Sequence, residues 1–134
     1  MRPVLRFAQA AAVTLSAALA GCSAPAPADT SLSLVSERGL LDADVRITTP
    51  VRRGDNELFV TLRPHNGDGA PTLLAVDGTM PAHAHEAHAA VIDQTETGFH
   101  VAELDLFMTG RWLLTLELSL SDEPDSASLP IDVP

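Results

Sequence analysis

The sequence predicts an all-β fold for most of the chain, and three observations support this prediction. The apolar runs are short, about five to ten residues each, as is usual for strands of an all-β domain. Clusters of Gly, Pro, Asn and Asp separate the runs, as in HNGDG at residues 65–69. Several runs alternate apolar and polar side chains, which is the period-two pattern of a strand with one buried face.

The first two predicted strands show this alternation directly. Ser31–Val35 alternates Ser and Leu, and Asp44–Thr48 places Val45 and Ile47 on one face. Residues 50–56, with the sequence PVRRGDN, are predicted to form a turn-rich connection because Pro, Gly, Asp and Asn favour turns.

The next four strands are identified mainly by the turn signals that end them. They are Glu57–Arg63 before Pro64 and the 65–69 turn, Thr72–Thr79 before Pro81, Ala89–Gln94 before the tight turn Thr95–Gly98, and Phe99–Leu106. In the last of these, alternation places His100 and Ala102 on the same face as Leu104 and Leu106. His100 is therefore expected at the edge of the core.

The segment Arg111–Leu120 gives the clearest strand signal. Trp112 and the leucines at 114, 116, 118 and 120 share one face at period two, although leucine alone favours helices. Trp112 is the expected centre of the core. Leu129–Val133 is predicted as a short final edge strand, where Pro130 is tolerated.

Seven or eight strands in roughly 100 residues suit an immunoglobulin-like antiparallel β-sandwich. A small barrel or jelly roll is the alternative. Cys22 is the only cysteine, so no disulfide within the chain is available and the core depends on apolar side chains.

The N-terminal region predicts export and lipid anchoring. Arg2 and Arg6 precede an apolar run too short to span a bilayer, which is the pattern of a secretory signal peptide over residues 1–21. Residues 19–22, Leu-Ala-Gly-Cys, resemble a bacterial lipobox, which implies acylation of Cys22. Residues 22–30 are predicted to be an Ala/Pro-rich tether and residues 31–134 the folded domain.

The charge of the mature chain excludes some partners. All 18 acidic residues but only six of the eight basic ones follow Cys22. A surface this acidic is not expected to bind nucleic acid. The expected location is the bacterial cell envelope, with Ser23 favouring the outer membrane, facing the periplasm, and the lipid bilayer is the expected partner of Cys22.

The segment MPAHAHEAH, residues 80–88, is the candidate metal site, and it is expected on a loop between two strands or at the ends of those strands. His83 and His85 are two residues apart, so both imidazoles can reach one ion in extended chain. Imidazole and thioether donors together favour copper over zinc, which makes Met80 a candidate third ligand. Met108 is a candidate second thioether. His88 is a candidate additional ligand that could instead point to solvent.

Other interpretations of these residues remain open. The His-rich segment could be a solvated polar loop, and Met80 could be a core residue that packs against Trp112. Glu86 is a candidate hydrogen-bond acceptor for a ligand imidazole. His65 opens a turn and is expected to be solvated.

Three motifs in the chain resemble the YtkA-like and FixH-like domains. They are the Gly54-Asp55-Asn56 turn, the Met80-Pro81 loop with nearby histidines, and Met108-Thr109-Gly110-Arg111-Trp112, and the similarity spans Leu40–Leu120. The resemblance implies an immunoglobulin-like fold and, for some members, copper handling or cytochrome oxidase assembly. It carries over to Met80, His83, His85 and Met108 as metal ligands. The lipobox replaces the transmembrane anchor of FixH proteins, which weakens the link to oxidase assembly.

These observations predict a lipid-anchored copper-binding protein that is not an enzyme. No nucleophile elbow, phosphate-binding loop or HExxH motif is present in the sequence. An envelope protein that handles copper is the expected partner. The alternative is a metal-free immunoglobulin-like module that binds another protein.

Overall fold

The computed structural model describes residues 30–48 and 50–134. These residues form eight β-strands: β1 (Thr30–Val35), β2 (Leu41–Ile47), β3 (Gly54–Pro64), β4 (Pro71–Met80), β5 (His85–Thr95), β6 (Gly98–Leu106), β7 (Gly110–Leu120) and β8 (Glu123–Val133). None of the described residues forms a helix with the length and hydropathy of a membrane span. The predicted signal peptide, the lipidated Cys22 and all but the last residue of the predicted tether lie outside the described residues. The all-β prediction is confirmed.

The eight strands form one antiparallel sheet in the order β1-β2-β3-β6-β5-β4-β7-β8. Strand β5 joins the two halves of this sheet. Its first residues, His85–His88, pair with β4, whereas Ala89–Thr95 pair with β6. The sheet nearly closes on itself, because the backbone N–H of Glu37 in the β1–β2 turn donates to the carbonyl oxygen of Ser126 in β8 at 2.7 Å.

A buried carboxylate strengthens the contact between the two edges of the sheet. Asp125 of β8 is 8% exposed and accepts hydrogen bonds from Ser36 Oγ at 2.5 Å and from the backbone N–H groups of Arg38, Leu40 and Ser126. Burial alone would raise the pKa of Asp125, but these hydrogen bonds outweigh it and hold the pKa below its usual value. We call Ser36 and Asp125 the edge latch.

Trp112 lies at the centre of the core, as the alternation of β7 predicts. Its side chain is fully buried, and Leu114, Leu116 and Leu118 of the same strand are buried beside it. Gly78 of the neighbouring β4 makes room for the indole, since a Cβ there would lie 3.3 Å from Trp112 Cε3. The predicted core face of β7 is confirmed.

Strand β6 contains an irregularity that changes which side chains face the core. Its register with β3 shifts, so that Ala102 and Glu103 stand opposite the single residue Glu57. Glu103 takes a positive φ of 55°, and such an extra residue interrupts the alternation. The buried residues are therefore Phe99, Val101, Leu104 and Leu106.

This irregularity corrects the sequence prediction for His100. Its ring lies on the outer face, stacked on Phe59 with ring centroids 4.9 Å apart, and not on the core face that carries Leu104 and Leu106. The alternation that begins at Leu104 cannot be extended back to His100, because Glu103 is an extra residue in the strand and the residues before it face the opposite way from the prediction.

All eight strands begin earlier than the sequence predicts, and three of them extend into segments with another expected role. β3 begins at Gly54, inside the predicted 50–56 connection, where the amide of Asn56 donates to the carbonyl oxygens of Arg52 and Gly54. β4 ends at Met80 and β5 begins at His85, so the His-rich segment is partly a turn and partly the ends of the two strands, which agrees with the prediction. β8 begins at Glu123, because an edge strand tolerates proline on its unpaired side.

The strand directions gather several chain segments at one end of the sheet. β4 ends and β5 begins there, and the β6–β7 loop lies at the same end. β1 also begins on this side, since Thr30 pairs with Ile47 at the C-terminal end of β2. The opposite end carries the β1–β2 turn and His65, whose N–H donates to the carbonyl oxygen of Leu40 at 2.9 Å.

Candidate metal site

The β4–β5 hairpin positions the candidate ligands. A turn of four residues, Pro81 to Ala84, joins the two strands. The N–H of His83 donates to the carbonyl oxygen of Met80 at 3.0 Å, and Ala84 takes a positive φ of 53°. Met80 and His85 are directly paired across the hairpin, so their side chains project to the same face of the sheet.

The hairpin brings His83 and His85 together. Their ring centroids are 6.1 Å apart and the ring planes meet at 28°. His83 is exposed and His85 is half-buried. The predicted pairing of these two imidazoles on one side of the chain agrees with this geometry.

Phe107, which the sequence analysis did not single out, packs against the histidine pair on the side that faces the protein. Phe107, in the β6–β7 loop, meets His85 edge-on with centroids 5.5 Å apart and meets Trp112 in the same way at 5.4 Å. The indole N–H of Trp112 donates to the carbonyl oxygen of Met108 at 3.0 Å, which fixes the loop. The available signal was an aromatic residue beside Met108 in a chain with only four Phe and one Trp.

The two thioethers lie in packed surroundings. Met80 is only 2% exposed, and its Cε lies 3.3 Å from the position that a Cβ on Gly110 would occupy. Met108 is partly buried against the core. Both residues are at the same end of the sheet as the histidine pair, but their side chains pack inward.

His88 is directed away from the pair. It alternates with Ala87, which is buried, and so projects from the opposite face of β5 from His85. Its Nδ1 lies 2.6 Å from Asp77 Oδ1 on the paired strand. This hydrogen bond and the charges of Asp77 and Glu86 raise the pKa of His88. The structure therefore does not bring His88 to the candidate site.

The remaining histidines also have carboxylate partners. His65 Nδ1 lies 2.7 Å from Asp42, and His100 Nε2 lies 3.8 Å from Glu57. Within residues 30–48 and 50–134, His83 and His85 are the two histidines that contact another imidazole and no carboxylate. In the same part of the chain, no group of three or more His, Cys, Asp or Glu side chains is arranged to hold a metal ion.

Comparisons with protein-family models, with curated proteins and with solved structures give no match for this chain.

Proposed function

We propose that this protein is a lipid-anchored copper-binding protein of the bacterial cell envelope, with an immunoglobulin-like domain of the YtkA-like or FixH-like kind. The observation that carries the proposal is the contact between His83 and His85 at the end of the β4–β5 hairpin. The switch of β5 from pairing with β4 to pairing with β6 supports the sandwich arrangement, since strands that change partner join two layers.

The chemistry of the pair suits a transferable metal. Imidazole nitrogens bind copper, zinc and nickel, and copper stands first in the usual order of affinity for divalent ions at such donors. The pair is open to solvent on the His83 side, which permits an ion to be taken up and released. A carrier or sensor of copper needs this access, and catalysis forms no part of the proposal.

Met80 and Met108 are the proposed sources of additional thioether donors. Both stand at the same end of the sheet as the imidazoles, in strand-end and loop positions. A thioether would favour the monovalent ion, since soft donors select Cu(I). Their substitution by leucine, which conserves volume to a useful degree, separates a ligand role from a packing role.

The anchoring proposal depends on Cys22 and the apolar run before it. Two or more acyl chains on an N-terminal cysteine are enough for stable membrane attachment. Replacing Cys22 with Ser is expected to move the protein from the membrane fraction to the soluble periplasmic fraction, as measured by fractionation and immunoblotting. Retention of the Cys22→Ser variant in membranes would contradict lipid anchoring.

Metal binding is tested on the export-processed protein, purified without a histidine tag in detergent. The double variant His83→Ala, His85→Ala is expected to lose stoichiometric copper in elemental analysis, while His65→Ala, whose histidine pairs with Asp42, keeps it. Equal copper content in all three proteins, or none in the wild type, would exclude this site. The second result favours the metal-free, protein-binding module instead.

A further inference from the structure

We infer that β1 is a self-association edge, at which two copies of the chain pair their β1 strands antiparallel about a twofold axis at Ser33. The inference goes beyond the proposed function, because it assigns an interaction surface that needs neither a metal nor a lipid anchor. Three observations support it: the free edge of β1, the lack of ionisable side chains in this strand, and the symmetry of its sequence.

Within the described residues, β1 pairs with a neighbouring strand on one side only. It stands at one end of the strand order, and all six of its residues pair with β2. The hydrogen bond from Glu37 to Ser126 lies beyond the end of β1. Leu32 shows the consequence: it is directly paired with the buried Val45, and so faces the core side, yet it is 36% exposed. A free edge of this kind offers unpaired N–H and C=O groups to another strand.

Of the eight strands described, β1 is the one without an ionisable side chain. Its sequence is TSLSLV, whereas each of the others carries at least one Asp, Glu, Arg or His. The strand at the other end of the order, β8, carries Pro124, Pro130 and several acidic residues, which are features that discourage edge pairing. The chain has a formal net charge of −10, so two copies repel each other over most of their surface. β1 therefore offers the edge with the least repulsion.

The sequence of β1 fits a twofold axis at Ser33. With Ser33 opposite itself in an antiparallel pair, Leu32 lies opposite Leu34 of the second copy. Both leucines face the core side, because they pair with Val45 and Ala43, which are fully buried. This register joins leucine to leucine on one face and serine to serine on the other, whereas a shift of one residue would place leucine opposite serine. An interface between identical surfaces requires such self-complementarity.

Pairing over six residues gives a weak contact. Interfaces well below about 1,000 Å² are typical of transient association, so we expect the dimer at high local concentration and a monomer in dilute protein. A strand of six residues is about 20 Å long. Thr30 of both copies can therefore stay close to one bilayer when the paired strands lie along it.

The test is disulfide crosslinking of the export-processed, untagged protein in detergent under mild oxidation. Ser33→Cys is expected to give a crosslinked dimer, because directly opposite Cα atoms lie about 4.5–5.5 Å apart, within reach of a disulfide. Ser31→Cys, on the same face of β1, is the matched control. Its two cysteines would be roughly 14 Å apart along the strands, so it should crosslink at least about tenfold more slowly. The wild type measures any crosslink through Cys22, the single cysteine of the chain.

A charge on the core side of β1 distinguishes strand pairing from random encounters. In the Ser33→Cys protein, Leu32→Lys should slow crosslinking at least about tenfold, because a charge directed toward the core side opposes edge pairing. Leu74→Lys introduces the same charge at an exposed leucine of β4 and should leave the rate unchanged. Circular dichroism checks that each variant is folded.

The possible results separate this inference from the proposed function. Absence of a dimer from Ser33→Cys, or equal crosslinking rates of Ser33→Cys and Ser31→Cys, overturns the inference. Equal effects of Leu32→Lys and Leu74→Lys in folded protein have the same consequence. None of these results depends on copper content or on membrane attachment, so the proposed function and the self-association edge can fail independently.

Discussion

At the scale of single residues, Ala84 is the most unusual position of the site. It adopts a left-handed backbone conformation, which costs an L-residue with a Cβ roughly 1 kcal/mol. The residue lies between His83 and His85, so its conformation sets how the two imidazoles are placed relative to each other. Strain that persists at such a position is consistent with a functional role.

Replacing Ala84 with Gly is expected to raise the free energy of unfolding by about 0.5–1 kcal/mol, because glycine reaches positive φ without strain. The same change should weaken copper binding, since the histidine pair becomes less ordered. Urea unfolding and Cu(I) titration measure the two effects. Ala82→Gly, in the same turn but without positive φ, is the control and should lower stability.

The site could be predicted from sequence only in part. The i, i+2 spacing of His83 and His85 was sufficient to predict their proximity, because side chains two residues apart stay close to each other both in a strand and in a tight turn. The side-chain direction of His88 depends on where β5 begins, and that boundary is not encoded in local turn signals. The position of Phe107 depends on the β6–β7 loop folding back beside the hairpin, which is a tertiary contact.

At the scale of secondary-structure elements, β4 and β7 approach closely at Gly78. A Cβ at this position would lie 3.2 to 3.3 Å from side-chain atoms of Leu106, Leu114 and Trp112. All three neighbours are fully buried, so they have little freedom to move away. The absence of a side chain on β4 is therefore what allows the indole to lie at the centre of the core.

Gly78→Ala is expected to lower the free energy of unfolding by about 1–3 kcal/mol through overpacking. Thr72→Ala, at an exposed position of the same strand, should change it by less than about 0.5 kcal/mol. Chemical denaturation of both variants beside the wild type measures the difference. Equal stability of the two variants would show that the core around Trp112 can relax.

Strand identity was predictable from sequence where alternation is regular, and β7 is the clearest case. The prediction failed where one residue changes the alternation, as Glu103 does in β6. It also failed where polar and turn-forming residues take part in pairing, as in the first half of β8. In both cases the neighbouring strand, rather than the local sequence, determines the conformation.

At the scale of the whole molecule, the edge latch joins β8 to the turn after β1. Asp125 accepts four hydrogen bonds in a buried position, and charged acceptors of this kind contribute more than neutral ones. Because its pKa is lowered in the folded state, the carboxylate stabilises the fold above its unfolded pKa of about 3.9. This stabilisation is lost as the pH falls below that value toward the folded pKa.

Asp125→Asn is expected to lower the free energy of unfolding at pH 7 by about 2 kcal/mol, through the weaker hydrogen bonds of a neutral acceptor. The variant should also lose less stability than the wild type between about pH 5 and about pH 2. Asp132→Asn is the control: Asp132 lies on the same strand as Asp125, but its ion pair with Arg111 of β7 is exposed, so the loss of stability should be much smaller. Thermal unfolding across this pH range compares the three proteins.

The direction of β1 has a consequence for how the molecule would be oriented. The strand begins at the same end of the sheet as the β4–β5 hairpin, and only eight residue steps separate Cys22 from Thr30. A chain of that length reaches at most about 29 Å. Acylation of Cys22, as proposed, would therefore keep Thr30, and with it the end of the sheet that carries the histidine pair, within that distance of the lipid headgroups, whereas His65 lies at the opposite end.

Gadolinium-bearing lipids in vesicles would report this orientation through nuclear relaxation of the imidazole protons. We expect stronger relaxation for His83 and His85 than for His65, and the reverse order would contradict the proposed orientation. A donor or acceptor of copper would then have to approach along the bilayer surface. If Cys22 is acylated, a tether of this length would therefore favour exchange partners that are themselves bound to the membrane.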